Sequence, residues 1–257
     1  MSDSLLLDGE RLDKVNEDIT LIQKEKGLTF GTDAYLLASY IRPRSNSVAV
    51  ELGAGTGIIS LLCAAKNKFR KIYAVEIQKD FADLAERNVK HNRLDGKIEV
   101  ICGNVTELSS NMTDGEADVV FSNPPYMRTD SGKRNESDYK YIARHEVFGG
   151  IGEFCSAAYR VLKHGGKFYC VWRPDRLSEL TVALCQNRLE PKVMTFVHAD
   201  TKSEPCMVLV SATKGGASGM RVTPPILLYE DEFETGKPRK MTVQAEKIYD
   251  SMSVDSD

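Results

Sequence analysis

The chain has 257 residues, a net charge of −3, 42% hydrophobic residues and 28% charged residues, a composition typical of a soluble globular protein with a sizeable core. No stretch approaches the roughly 18 consecutive apolar residues that a membrane span needs. The first residues carry no positive charge, so no secretory signal is expected either. The charge balance also argues against nonspecific coating of nucleic acid.

The cysteines and the regular patterning indicate one intracellular α/β domain. The six cysteines are scattered without a C-x-x-C pair, which is typical of reduced core residues in a cytoplasmic protein and predicts no metal site. In chain order the apolar spacing predicts a helix at 33–41, a strand at 48–52, a helix at 56–65, a strand at 72–75, a helix at 79–91, strands at 98–101 and 119–121, a loop at 123–149, a helix at 151–162, a strand at 167–172 and a helix at 176–189.

This alternation of strands and helices indicates βαβ units and a mostly parallel sheet. The last strand-like runs, 192–198 and 206–212, lack an intervening helix, so they are expected to form an antiparallel pair at one edge. We predict a single domain over 1–257. It comprises an N-terminal segment and helix at 1–47, a core sheet at 48–215, and a polar tail at 216–257 that is partly disordered at its end.

A glycine-rich turn, Glu51-Leu52-Gly53-Ala54-Gly55-Thr56-Gly57, follows the first core strand. Gly53, Gly55 and Gly57 would let a nucleotide cofactor approach the backbone where Cβ atoms would obstruct it. The spacing is not the G-x-G-x-x-G that suits a dinucleotide pyrophosphate. The Glu51 carboxylate would repel a phosphate but suits a cationic ligand, such as the methionine ammonium of S-adenosylmethionine, through water.

Further polar residues follow the next two strands. Glu76 ends the second strand, where a carboxylate can accept hydrogen bonds from both ribose hydroxyls, and Ile77 can pack on an adenine face. Asn104 follows the third strand, where its amide carbonyl can accept from the adenine amino group. For Asn104 the alternative is a plain turn residue. For the glycine turn together with Glu76, the alternatives are a tight turn beside a surface glutamate and the cofactor site of an NAD enzyme.

The tetrapeptide Asn123-Pro124-Pro125-Tyr126 directly follows an apolar strand. A planar NH2 group is a poor nucleophile because its lone pair is delocalised. If the Asn123 side-chain oxygen and the Pro124 carbonyl each accept one N–H, the nitrogen becomes tetrahedral and its lone pair can attack a methyl group. Pro124 and Pro125 fix the backbone without competing N–H groups, and Tyr126 offers a stacking surface. Positioning of the nitrogen is expected to dominate catalysis. The alternative interpretation of the whole motif is a structural proline turn after a strand.

Basic residues crowd the segment after this motif, and we interpret them as contacts to RNA phosphates: Arg128, Lys133, Arg134, Lys140, Arg144 and His145. A second basic cluster comprises Lys66, Lys68, Arg70 and Lys71. The alternative for both basic clusters is a solvated loop without a binding role. For Arg144 and His145 a further alternative is the start of a helix, in which Glu146 compensates their positive charge.

Further stretches carry a resemblance to a known family. They are Phe30-Gly31-Thr32-Asp33-Ala34-Tyr35-Leu36-Leu37, Ala143-Arg144-His145-Glu146, Leu162-Lys163-His164-Gly165-Gly166-Lys167-Phe168 and Pro224-Pro225-Ile226-Leu227-Leu228-Tyr229. With the two motifs above, the chain resembles, over nearly its whole length, the bacterial class I methyltransferases that make N6-methyladenosine in tRNA next to the anticodon. Valine tRNA is the best-known substrate of that family.

The resemblance implies a Rossmann-like, seven-stranded, mostly parallel sheet with helices on both faces and an antiparallel edge hairpin. It also implies that Phe30, Thr32 and Asp33 line the S-adenosylmethionine pocket, against which the N-terminal helix packs. Asn123–Tyr126 would form the acceptor site, with Asn123 touching the cofactor as well. Asn104 departs from the acidic residue usual at its position.

Three alternatives to tRNA adenine methylation remain. The same motif serves protein glutamine N5-methylation in release-factor methyltransferases, although these carry a substantial helical domain before the glycine turn. The second alternative is N6-adenine methylation of another nucleic acid, such as DNA, or methylation of an NH2 group in a small molecule. The third is a cofactor-binding module that binds RNA without turnover, against which the intact Asn123–Tyr126 motif argues.

Overall fold

The computed structural model describes residues 6–25, 31–42, 44–124, 150–232, 236 and 238–254. The helices in these ranges are α1 (Thr32–Tyr40), α2 (Ile58–Ala65), α3 (Lys79–His91), α4 (Ile151–Val161), α5 (Leu177–Gln186) and α6 (Val243–Ser251). The strands are β1 (Glu10–Lys14), β2 (Thr20–Lys24), β3 (Val48–Leu52), β4 (Lys71–Glu76), β5 (Ile98–Cys102), β6 (Ala117–Ser122), β7 (Leu162–Trp172), β8 (Leu189–His198), β9 (Pro205–Lys214), β10 (Arg221–Val222) and β11 (Ile226–Leu227). None of these helices has the length and apolar character needed to cross a membrane.

The central sheet has the order β10-β8-β9-β7-β6-β3-β4-β5, with β11 also paired to β8. Strands β5, β4, β3, β6 and β7 are parallel, and β9 runs antiparallel to both β7 and β8. This confirms the predicted class I fold with its parallel sheet and antiparallel pair. The two-residue strands β10 and β11 pair parallel to β8 and bring the sheet to nine strands instead of seven.

Several predicted boundaries are wrong by a few residues; strand β7, for example, begins at Leu162 rather than at 167. Helix α5 ends at Gln186 rather than at 189, and β8 already begins at Leu189. Arg188 between them adopts the left-handed conformation, with φ 54°, which ends the helix.

Helices cover both faces of the sheet, as predicted. Consecutive strand residues alternate between two hydrophobic clusters: Ala49 and Phe121 pack with α1, α2 and α6, whereas Val50 and Val120 pack with α4 and α5. Burial on both faces explains why the parallel strands read as continuous apolar runs.

An N-terminal hairpin, β1–β2, forms a separate antiparallel sheet that sequence analysis did not predict. It is attached to α3 by Asn88, whose side chain is fully buried. The Asn88 Oδ1 accepts from the Ile22 N–H at 2.7 Å, and its Nδ2 donates to the carbonyls of Ile22 and Thr56, each at 3.0 Å. One amide therefore joins the hairpin, α3 and the glycine turn.

Helix α1 is held at two points. The buried Lys68 Nζ donates to the carbonyls of Ala38 and Ile41 at 2.7 and 2.8 Å, which satisfies the end of the helix. Burial lowers the pKa of this ammonium. On another side of α1, the Tyr35 ring stacks on Tyr249 of α6 with 4.4 Å between ring centroids, and the Tyr35 hydroxyl donates to the Tyr249 carbonyl at 2.9 Å. Helix α6, which lies in the predicted polar tail, therefore helps to hold α1 in place.

We expect Asn88→Ala to lower the free energy of unfolding by about 2 to 3 kcal/mol, because it leaves buried backbone groups without partners. Urea denaturation measures this change. Glu86→Ala on the exposed face of α3 is the control, since its ion pair with Lys90 is solvent-exposed and contributes under about 1 kcal/mol. Equal losses in the two variants would contradict the role given to Asn88.

Candidate active site

Three parallel strands bring the predicted site residues to one edge of the sheet. Strand β3 lies between β4 and β6, with Leu52 opposite Val75 on one side and Ser122 on the other. The carboxyl ends of these strands therefore place the glycine turn beside Glu76 and Asn123, at the edge where ligands of parallel sheets bind. The Ser122 hydroxyl donates to the Leu52 carbonyl at 2.7 Å and ties β6 to β3 at this point.

The glycine turn needs glycine for two different reasons. Gly53, Gly55 and Gly57 all have positive φ angles, of 72°, 56° and 81°, a region that side-chain-bearing residues rarely adopt. A Cβ on Gly53 would also lie 3.2 Å from the Phe154 ring, whereas the space beside Gly55 is open within 4 Å. The turn therefore presents bare backbone to an open space, as a cradle for a ligand requires.

Glu76 is held against this turn by backbone donors. Its Oε2 accepts from the Gly55 N–H at 2.8 Å and its Oε1 accepts from the Gln78 N–H at 2.9 Å. Burial raises the pKa of the Glu76 carboxyl, and these N–H groups act in the opposite direction. Each oxygen keeps acceptor capacity for a hydroxyl group. Ile77 follows directly and is half-buried.

Glu51 points into the start of α2, an arrangement that sequence analysis missed. Its Oε2 accepts from both the backbone N–H and the hydroxyl of Ser60, in the first turn of that helix. Burial raises the pKa of the Glu51 carboxyl to about 8; the Ser60 bonds oppose this change and the nearby Glu76 adds to it. A ligand with positive charge beside these two carboxyl groups would favour their ionised forms, whereas a phosphate would disfavour them.

Asn123 lies opposite the start of α1. Its Nδ2 donates to the Asp33 Oδ2 at 2.9 Å. Its Oδ1 is buried and has no hydrogen-bond partner within the described part of the chain. A buried acceptor in this condition is uncommon in folded proteins, and it fits a ligand that brings an N–H donor. Pro124, the next residue, is buried.

The geometry at Asn104 favours the turn alternative. Its Oδ1 accepts from the Thr106 N–H at 3.0 Å, and its backbone carbonyl accepts from the Glu107 N–H at 3.0 Å. This is the local bonding by which asparagine commonly forms turns. The contact with adenine remains a prediction.

The remaining predicted residues fall into two groups. Thr32 begins α1, where its side chain hydrogen-bonds to the Tyr249 hydroxyl. The others lie outside the described residues: Phe30, Pro125, Tyr126, Arg128, Lys133, Arg134, Lys140, Arg144 and His145.

The second basic cluster is used within the fold. Lys66 pairs with Asp18 at 2.8 Å, Arg70 with Asp114 at 3.5 Å and Lys71 with Glu99 at 3.0 Å, while the buried Lys68 caps α1. It is therefore not a surface of unpaired cations. Within the described ranges, no three His, Cys, Asp or Glu side chains are grouped so as to hold a metal ion.

The sequence resembles those of known proteins over most of the chain. The sequence profile of the methyltransferase small domain family matches residues 25–182, more than half of the chain. A protein from Phocaeicola vulgatus named tRNA1(Val) (adenine(37)-N6)-methyltransferase is 31% identical over 195 residues, covering 76% of this chain and 81% of the relative. A protein of the same name from Dyadobacter fermentans is 28% identical over 225 residues, covering 87% of this chain and 91% of the relative.

Solved structures support the fold. A predicted O-methyltransferase from Agrobacterium tumefaciens superposes with a TM-score of 0.68 at 21% identity, over 87% of this chain and 98% of its own. TYW2 from M. jannaschii, solved in complex with AdoMet (S-adenosylmethionine), superposes with a TM-score of 0.53 at 14% identity, over 81% of this chain and 86% of its own. The resemblance inferred from the sequence motifs is confirmed. The chain therefore belongs to the methyltransferase small domain family, together with relatives named tRNA1(Val) (adenine(37)-N6)-methyltransferases.

Proposed function

We propose that this protein is an S-adenosylmethionine-dependent methyltransferase that methylates the exocyclic N6 of an adenosine in tRNA, next to the anticodon, in the cytoplasm. The names of the relatives support the tRNA substrate and the adenine N6. The observation that carries the chemistry is the buried Asn123 Oδ1 without a partner among the described residues. The chain would act as one methyltransferase domain.

The hydrogen-bond acceptors around the glycine turn fit S-adenosylmethionine. When bound, this cofactor supplies a methyl group on a positively charged sulfur. Glu76 would accept the ribose hydroxyls, Ile77 would pack on the adenine, and Glu51 would face the ammonium through water. Phe30, Thr32 and Asn104 remain proposed lining residues of the same pocket.

Asn123 would hold the adenine N6 nitrogen that receives the methyl group. Its Oδ1 would accept one N–H of the amine and the Pro124 carbonyl would accept the other, so that the nitrogen lone pair points away from both acceptors. Tyr126 would stack on the adenine. No strong base is needed, because the nitrogen becomes acidic once it is alkylated and its proton can pass to water. Such catalysis depends mainly on positioning.

The target adenosine must leave its stack to reach this pocket. That step is least costly in a single-stranded loop such as the anticodon loop. The basic residues 128–145 would contact the RNA backbone and hold the loop in place.

We expect the purified protein to transfer labelled methyl groups to an unmodified valine tRNA transcript, and digestion to nucleosides should recover the label as N6-methyladenosine. A transcript with guanosine in place of the adenosine next to the anticodon should accept none. The Asn123→Ala variant should be slower by at least ~100-fold, with its affinity for S-adenosylmethionine little changed.

Two outcomes would contradict this function. Label in protein from a cell lysate, but none in tRNA, would favour methylation of a glutamine amide. Normal turnover by Asn123→Ala would remove the proposed mechanism even if tRNA were the substrate.

A second prediction concerns the cofactor. Glu76→Ala should weaken the affinity for S-adenosylmethionine by about tenfold or more, because hydroxyl donors lose a charged acceptor. Glu76→Gln keeps one acceptor oxygen and should lose less. Calorimetric titration measures both, with Glu99→Ala on the neighbouring strand as control. Unchanged affinity in Glu76→Ala would show that the ribose assignment is wrong.

A third prediction concerns the pH dependence of stability. Because the pKa of Glu51 is raised from 4.5 to about 8 in the folded protein, the stability that it contributes is greatest below about pH 4.5 and falls as the pH rises to about 8. Glu51→Gln cannot titrate, so it should gain stability relative to the unaltered protein as the pH rises over this range, by about 1.4 kcal/mol for each pH unit. Urea denaturation at several pH values measures the difference, and a constant difference would refute the assignment.

A further inference from the structure

We infer that Asp33 is a positioning residue that orients the Asn123 carboxamide, so that its oxygen and not its nitrogen faces the target amine. This inference rests on the proposed function. It differs from the role implied by the family resemblance, in which Asp33 lines the cofactor pocket.

The hydrogen bond between Asn123 and Asp33 can run in one direction only. An ionised carboxylate can only accept, so the Asn123 group that lies 2.9 Å from the Asp33 Oδ2 must be the donating Nδ2. The two ends of a carboxamide are nearly isosteric, and without such a partner either could face the ligand. Turning the amide over would set its oxygen against the carboxylate, and the two acceptors would repel each other. Asp33 thus selects one of two orientations.

The Asn123 oxygen lies at the other end of the same amide. Once Nδ2 is committed to Asp33, Oδ1 is directed into a buried position where the described residues offer no donor. An amide free to turn would tend to relieve this loss. The Asp33 contact keeps the acceptor in place for a group that arrives with its own N–H.

The Asp33 carboxylate is itself held in place at the start of α1. Its Oδ1 accepts from the Ala34 N–H at 2.9 Å, at the start of α1, where the helix dipole favours a negative charge. The neighbouring Gly31 makes room for the carboxylate, because a Cβ there would lie 2.8 Å from the same oxygen. Lys68 and the stacked Tyr35 and Tyr249 hold the helix. The orientation of Asn123 is therefore set by a fixed element of the fold.

The test measures two quantities in the full-length protein: the single-turnover rate of methyl transfer to the tRNA transcript at saturating S-adenosylmethionine, and the affinity for S-adenosylmethionine alone. We expect Asp33→Ala to reduce the rate roughly tenfold or more with little change in cofactor affinity. Asp33→Asn should retain most of the rate, since its own amide oxygen can accept from the Asn123 Nδ2.

The double variant separates positioning from general damage. If Asp33 acts through Asn123, Asp33→Ala combined with Asn123→Ala should be no slower than Asn123→Ala alone, because the two effects are not additive. Asp80→Ala removes a carboxylate from the first turn of α3 and is the matched control, with an unchanged rate expected.

A normal rate in Asp33→Ala, a loss of cofactor affinity in parallel with the rate, or a fully additive double variant would each overturn the inference. Failure of the proposed function has a different signature, since the unaltered protein would then leave tRNA unmethylated. If the methyl group is transferred to a protein amide instead, the same Asp33 and Asn123 variants are tested with that protein as the methyl acceptor. Absence of transfer to either acceptor would overturn both proposals.

Discussion

The site depends on the parallel pairing of β3 with β4 on one side and β6 on the other. Parallel strands end at the same edge of a sheet, so residues far apart in the chain, such as Gly55, Glu76 and Asn123, become neighbours there. The register is set by the pairing of Leu52 with Val75 and Ser122, and a slip by one residue would turn the side chains to the opposite face. Apolar burial on both faces of the sheet keeps that register.

The residues collected at this edge form an acceptor-rich surface. Glu51, Glu76 and the Asn123 oxygen all accept hydrogen bonds, and the two glutamates are held by Ser60 and by backbone N–H groups. Burial of such groups is unfavourable until donors reach them, and it raises the pKa of both glutamates. A ligand that carries hydroxyl groups, an ammonium and a sulfonium supplies what this surface lacks. The same reasoning explains why a phosphate-bearing dinucleotide suits it poorly.

Much of this arrangement was predictable because its signals are local. The strands that lead to Leu52, Glu76 and Ser122 are continuous apolar runs, and the glycine spacing marks the turn that follows the first of them. The position of Glu76 at the end of the next strand then follows from the parallel fold. These features require only the periodicity of the chain and the rules of βαβ connection.

The rest arises from contacts between distant residues, which leave no local signal. The hydrogen bond from Asn123 to Asp33 spans 90 residues, and the stacked pair Tyr35 and Tyr249 is separated by 214 residues. Lys68 looked like part of a surface basic cluster, yet it is buried and caps α1. The short strands β10 and β11 have two residues each, which is too few to show any periodicity.

We propose that the Asn123 oxygen accepts a hydrogen bond from the amine that is methylated. A structure of the protein with S-adenosylhomocysteine and an RNA loop containing the target adenosine tests it most directly. We expect the exocyclic nitrogen of the adenosine to lie about 3 Å from the Asn123 Oδ1, with the Nδ2 still bonded to Asp33. An adenosine whose amino group lies elsewhere, or an Asn123 oxygen turned toward Asp33, would contradict it.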